Sequence, residues 1–223
     1  RVIEKYNNFI ERWPNIETLA KAKLGDVLGE WQGLGYNRRA KYLHACSQAI
    51  VLDCGGIFPR SYDKLLTLPG IGPYTAGAVM AFAFNQPFPI IETNIRTVII
   101  FHFFKNERDV SDVDILDKVA KTLPEENPKE WYAALMDYGT HLKKIHGNLN
   151  VKSRDYVKQS KFKGSDREIR GAIIRVLTTR ESLSASQFYE NLDEFNPKKI
   201  DIQISKLLAE ELVILKGKKY LLP

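Results

Sequence analysis

Apolar residues recur at helical spacing along most of the chain, and only its last dozen residues read as strand. Val2, Ile3, Tyr6, Phe9, Ile10 and Trp13 share one helical face over residues 1–13, and Pro14 ends that helix. The pattern predicts helices over 16–22, over 27–31 with Gly25-Asp26 as cap, and over 37–52 with Ala40, Leu43, Ala45, Ala49 and Ile50 inward. Ser61 is placed to cap a short helix that leads into a Gly/Pro-rich turn. Residues 93–104 are predicted helical despite their β-branched content, capped by Glu92 or Thr93, because the run is too long for a typical strand. Helices over 112–122 and 129–144 follow, with Pro124 and Pro128 between them.

The pattern changes after a polar, basic stretch. Ser165-x-x-Glu168 is a capping box opening a helix through residue 177, Ser184-x-x-Gln187 opens a short second helix, and Asn196-Pro197 starts a third running to about residue 212. Strands at 213–215 and 219–222 flank the turn Lys216-Gly217-Lys218. Three helices and a hairpin are the plan of a winged helix-turn-helix, whose third helix presents Lys198, Lys199, Gln203, Ser205 and Lys206 on polar positions for DNA. The chain therefore divides into 1–145, a basic linker at 146–164, and a winged-helix domain at 165–223.

Between the predicted helices, Leu68-Pro69-Gly70-Ile71-Gly72-Pro73-Tyr74 cannot continue a helix, yet helical pattern flanks it on both sides. A helix, a tight hairpin and a second helix from near Tyr74 is the simplest geometry. Such a turn aims backbone N–H groups from a helix N-terminus at one phosphate. The second helix carries Ala76, Gly77, Ala78, Ala81 and Ala83, so another element can approach it closely. A carboxylate, Glu92, follows 18 residues after Tyr74, behind the extended Pro87-Phe88-Pro89-Ile90-Ile91.

Charge and cysteine content narrow the function. Net charge is +6, and residues 143–175 alone hold ten Lys/Arg against three acids, so the rest of the chain is close to neutral. One-signed charge near a phosphate-binding turn is the footprint of a nucleic-acid partner. Cys46 and Cys54 give no disulfide framework and no metal spacing, and His44, His102, His141 and His146 are scattered. No apolar run reaches 18 residues, which argues against a membrane span. The chain begins at Arg1 in what reads as mid-helix, so a preceding segment is expected.

Several blocks resemble the helix-hairpin-helix DNA glycosylases, and among them the MutY-type adenine glycosylases. They are Trp31-Gln32-Gly33-Leu34-Gly35-Tyr36 with Arg39-Ala40-x-x-Leu43-His44, Phe58-Pro59, the 68–78 turn, Ile91-Glu92-Thr93-Asn94-Ile95-Arg96-Thr97-Val98, and Ala133-Ala134-Leu135-Met136-Asp137-Tyr138-Gly139. The likeness covers roughly residues 1–142. It implies a mostly α, two-lobed helix-hairpin-helix glycosylase domain ahead of the small winged helix (α+β). It also implies a monofunctional enzyme that flips mismatched adenine, opposite 8-oxoguanine or G, out of duplex DNA and hydrolyses its N-glycosidic bond.

The resemblance makes Glu92 the catalytic carboxylate, although the family has Asp there, with Asn94 hydrogen-bonding beside it. Tyr74 stands where bifunctional relatives carry a Schiff-base lysine, and a phenol cannot form that imine. Tyr36 matches the wedge that enters the base stack. Leu68, Gly70, Ile71 and Gly72 would grip a phosphate, with further DNA contacts from Arg39, Lys143, Lys144, Lys163, Lys199 and Lys206. The family's general acid falls upstream of Arg1, and its iron–sulfur cysteines are missing where 143–163 stands. No cofactor is expected beyond a monovalent cation on the hairpin backbone. The partner implied is double-stranded DNA with a mismatch or oxidised base, bound by a monomer of cytoplasmic, nucleoid-associated location. Two other readings stay open: a thymine or uracil mismatch glycosylase, and a non-catalytic DNA-binding relative.

Overall fold

The structure, a computed structural model, describes residues 2–223. It is mostly helical: α1 (Val2–Arg12), α2 (Ile16–Ala20), α3 (Leu24–Glu30), α4 (Arg38–Asp53), α5 (Tyr62–Leu66), α6 (Pro73–Phe82), α7 (Thr93–Phe103), α8 (Asp112–Thr122), α9 (Pro128–His146), α10 (Asp166–Thr179), α11 (Ala185–Asn191) and α12 (Pro197–Ala209). A short 3-10 turn spans Leu149–Lys152, and strands β1 (Ile214–Lys216) and β2 (Lys219–Leu221) pair antiparallel with Ile214 opposite Leu221. Among the described residues no helix is long and apolar enough to cross a membrane.

The compact units do not follow chain order. One joins residues 2–58, Leu68–Gly70 and Ser160–Pro223, and the other joins Pro59–Thr67 and Ile71–Gln159. The boundaries expected from composition therefore need correction. Residues 165–223 share one apolar core with the N-terminal helices, in which Trp13, Leu28 and Ala40 meet Ile169, Ile173, Phe188 and Ile204. Each such large side chain contributes about 1.5–3 kcal/mol by leaving water, so the C-terminal helices are part of this unit's core. Polar contacts add register: Gly25 N–H donates to Pro223 O at 2.8 Å, and Lys41 Nζ reaches Glu210 O and Glu211 Oε2, both at 2.7 Å.

Three local expectations change within this unit. The buried residues of α4 are Ala40, His44, Cys46, Ser47 and Ile50, whereas Leu43 is 37% exposed. His44 Nε2 meets Ala22 O at 2.9 Å, so the buried face is partly polar and its hydropathy misleads. Gln203 is buried because it lies on the Ile200–Ile204–Leu207 stripe of α12, not on the polar face. Gly25 and Asp26 fall inside α3, whose N-cap is Lys23 without a side-chain cap bond.

In the second unit α7 is the central rod, with Ile95, Thr97, Val98, Ile99 and Ile100 all buried. Its β-branched residues read like strand because the helix is covered on most sides and needs no polar stripe. The small residues of α6 admit the extended segment before Glu92: a Cβ on Gly77 would stand 2.6 Å from Ile90 Cγ2 and 2.9 Å from Phe88 Cδ1. Tyr62 stacks on Phe88 with ring centroids 4.2 Å apart. The fully buried Tyr132 of α9 braces the same segment, its hydroxyl donating to Phe88 O at 2.8 Å and accepting from Ile90 N–H at 3.1 Å.

The expected basic linker is also partly structural. Asn150 and Ser153 are buried, Val110 N–H donates to Lys152 O at 3.0 Å, and Arg154 N–H donates to Val110 O at 2.9 Å. Positive charge in the sequence did not distinguish a solvated tether from a strap docked by its backbone.

Burial pushes the Tyr132 phenol from 10.0 up to about 12. The folded state thus favours the neutral ring, and that stabilisation is complete below about pH 10 and lost as pH rises through about 12. Tyr132→Phe removes both backbone bonds and should cost roughly 1–3 kcal/mol at pH 7. The wild-type advantage in denaturant unfolding should shrink between about pH 10 and 12. An advantage constant over that range would contradict the assignment.

Candidate active site

Glu92 is the N-cap of α7, with extended backbone (φ −121°, ψ 162°) and its Oε2 accepting the Asn94 N–H at 2.6 Å. This resolves the choice between Glu92 and Thr93 as cap. One carboxylate oxygen anchors the side chain to the helix end, and among the described residues Oε1 carries no hydrogen bond, which leaves it available to a substrate. The Tyr74 ring, on the first turn of α6, is half exposed. Burial pushes its phenol up, and the nearby Glu92 carboxylate adds to the effect.

The first turn of α7 is fixed from two sides. Lys143, near the end of α9, donates from Nζ to Asn94 Oδ1 at 2.7 Å. The buried Asn150 donates from Nδ2 to Thr93 O at 3.2 Å, and the Thr97 hydroxyl donates to that same carbonyl at 2.9 Å. Arg96 clamps Asp112 with Nη2 2.7 Å from both carboxylate oxygens. Gly139 on α9 presses on the Asn94 backbone, so that a Cβ there would lie 2.8 Å from Asn94 Cα and overlap its carbonyl.

The turn into α6 has the backbone that its glycines suggest. Gly70 has φ +74° and Tyr42 against its face, leaving no room for a side chain. Gly72 is the N-cap of α6 with Pro73 behind it, and among the described residues no hydrogen bond engages the Tyr74 and Thr75 N–H groups of its first turn. The Leu68 side chain is buried, so only its backbone is available to a partner, while Ile71 is half-buried.

The remaining candidates scatter. Tyr36 is 57% exposed with φ +51°, and its hydroxyl accepts from Arg167 Nη1 at 3.3 Å. Arg39 lies over the Trp31 ring, 5.4 Å from its centroid. Lys144, Lys163 and Lys199 are exposed, and Lys206 pairs with Asp166 at 3.1 Å, holding that carboxyl below its usual range with help from Gln203. Lys143 alone among these lysines meets the Glu92–Asn94 turn. Asn150, Gly139 and Arg96 were not singled out by sequence as parts of the site. Gly139 carried a signal, a glycine inside a strongly helical pattern, which implies close approach of another backbone.

Residues 1–124 match the family described as HhH-GPD superfamily base excision DNA repair protein. The chain belongs to that family. It is 31% identical over 229 residues to an adenine DNA glycosylase of Mycolicibacterium smegmatis, covering 96% of this chain and 78% of that one. An adenine DNA glycosylase of Mycobacterium tuberculosis is 31% identical over 205 residues, with 81% of this chain aligned to 66% of its length. A third, from Buchnera aphidicola subsp. Baizongia pistaciae, is 37% identical over 139 residues, 62% of this chain and 40% of its own. A solved thermostable thymine-DNA glycosylase superposes with TM-score 0.53 at 24% identity over 61% of this chain and 64% of that one, a likeness of fold. An iron–sulfur cluster takes four thiolates. This HhH-GPD chain has only Cys46 and Cys54, the first buried, so its residues do not fit that group.

Gly139→Ala should push α9 off the Asn94 backbone and carry Glu92 with it. Base excision at saturating DNA should fall about 100-fold, the order that an ångström of misplacement costs. Single-turnover kinetics would show this, and an unaltered rate would mean that the Gly139 contact does not set the site.

Proposed function

We propose that the chain is a monofunctional DNA glycosylase that hydrolyses the N-glycosidic bond of mismatched adenine, opposite 8-oxoguanine or G, after flipping the nucleotide out of the duplex. The observation that carries this is the Glu92 carboxylate at the α7 N-terminus, held by the Asn94 N–H with one oxygen unpaired among the described residues, in a chain similar along most of its length to adenine DNA glycosylases. The C1′–N9 bond breaks with its electron pair going to the base, and positive charge builds on the sugar. The Glu92 carboxylate stabilises that charge and takes a proton from the water whose oxygen bonds to C1′, while the leaving adenine takes a proton from solvent, to which Glu92 returns its own. Tyr74 offers no amine, so no imine forms and the backbone stays uncut.

Each unit carries groups that suit DNA: the α6 N-terminus, fit for one phosphate, with Lys144 in one, and the exposed Lys163 and Lys199 in the other. Tyr36, exposed on its turn, suits a wedge that enters the base stack. Helices α10 to α12 with the β1–β2 hairpin have the order of a winged helix, and the exposed Lys198 and Lys199 at the start of α12 would face the duplex.

The test is a panel of duplexes holding A opposite 8-oxoguanine, A·G, T·G and U·G, followed by alkaline cleavage of abasic sites. Alkali-dependent strand breaks should appear at adenine, and Glu92→Gln should lower the single-turnover rate by at least about 1,000-fold with duplex affinity retained. Release of only thymine or uracil would replace adenine as the substrate. Binding without any release would make the chain a non-catalytic member of its family.

A further inference from the structure

Charge patterning puts Lys143 among the phosphate contacts, yet its ammonium is engaged inside the protein. Nζ lies 2.7 Å from Asn94 Oδ1, and the Asn94 backbone N–H lies 2.6 Å from Glu92 Oε2. A lysine ammonium has three donors and no acceptor, so it fixes which end of the amide it faces. Oδ1 is turned to Lys143, and the NH2 end is turned away. Among the described residues no hydrogen bond reaches Asn94 Nδ2, and Asn94 sits on the turn that Glu92 caps. A free asparagine amide presents its oxygen or its NH2 with nearly equal ease, whereas this one presents donors only.

We infer that Lys143 is a positioning residue for excision, holding the Asn94 amide so that its NH2 donates to the water oxygen that attacks C1′ beside Glu92. The inference rests on the glycosylase reading of this site and adds a part to it. A donor at that oxygen fixes the water without competing with Glu92, which takes the water's proton. With the amide reversed, its carbonyl would accept the water's second proton instead, and the water oxygen would lose the donor that fixes it beneath C1′. Lys143 is half-buried on the same helix as Gly139, which sets the Asn94 backbone. One face of α9 therefore fixes both the main chain and the side chain of this residue.

The experiment compares wild type, Lys143→Met, Lys143→Arg, Asn94→Ala and the Lys143→Met/Asn94→Ala double variant on a duplex holding A opposite 8-oxoguanine. Thermal unfolding serves as the folding control. Lys143→Met should slow single-turnover excision about 30- to 100-fold, as loss of orientation does, with duplex Kd changed less than about threefold and the salt slope of binding unchanged. Lys143→Arg should recover most of the rate. The double variant should be no slower than the slower single one, because the lysine acts through the asparagine.

A salt slope lowered by about one with the rate intact would make Lys143 a phosphate contact and overturn the inference. Additive penalties would overturn it too. If wild type releases no base, the glycosylase reading itself fails, whereas a wild-type rate kept by Lys143→Met sinks only the role of Lys143. In the first case the side-chain amide resonances of Asn94 still decide the placement, since resonances identical in wild type and Lys143→Met show that the lysine does not hold the amide.

Discussion

The close approach of α9 to the first turn of α7 is the constraint on which the rest of the site depends. Gly139 lets the α9 backbone reach Asn94, and Lys143, one turn later, reaches the Asn94 side chain. A residue at a helix start has unpaired backbone donors around it, so small shifts there redirect hydrogen bonds. By fixing Asn94 from two positions, α9 fixes the N–H that holds Glu92 and, through it, the carboxylate oxygen that has no hydrogen bond among the described residues.

The segment before Glu92 is set by the same logic from the other side. Gly77 lets Phe88 and Ile90 lie against α6, and Tyr132 ties both residues by their backbone. The extended strap therefore enters α7 at one angle, with Tyr74 on the helix beneath it. Glu92, the cap of α7, folds one carboxylate oxygen back onto the Asn94 N–H. The phenol at Tyr74 and this capped carboxylate are suited to hydrolysis by water, which needs a charge and a proton acceptor but no amine.

Helical spacing, the glycine turn, a cap of α7 at Glu92 or Thr93 and the Asp112–Thr122 helix were legible in the sequence because they depend on local chemistry: side-chain period, φ preference and short-range hydrogen bonds. The blocks around Glu92 and the turn also carried the family, which the comparisons bear out along most of the chain. Leu43 and Gln203 were misplaced because hydropathy stands in for burial only when the covering surface is apolar. His44 meets a carbonyl, and Gln203 lies on a stripe fixed by its neighbours.

Tertiary structure alone decided the rest. Residues far apart in the chain, 2–58 and 160–223, share a core that no local window could pair. It turned a basic stretch into a docked strap through Asn150 and Arg154, and it took Lys143 from a presumed surface charge to a partner of Asn94. The sequence by itself determined which groups were available for chemistry and where helices begin. Their alignment into a site came from the packing of α9 on α7, since a hydrogen bond between residues 49 positions apart leaves no trace in local pattern.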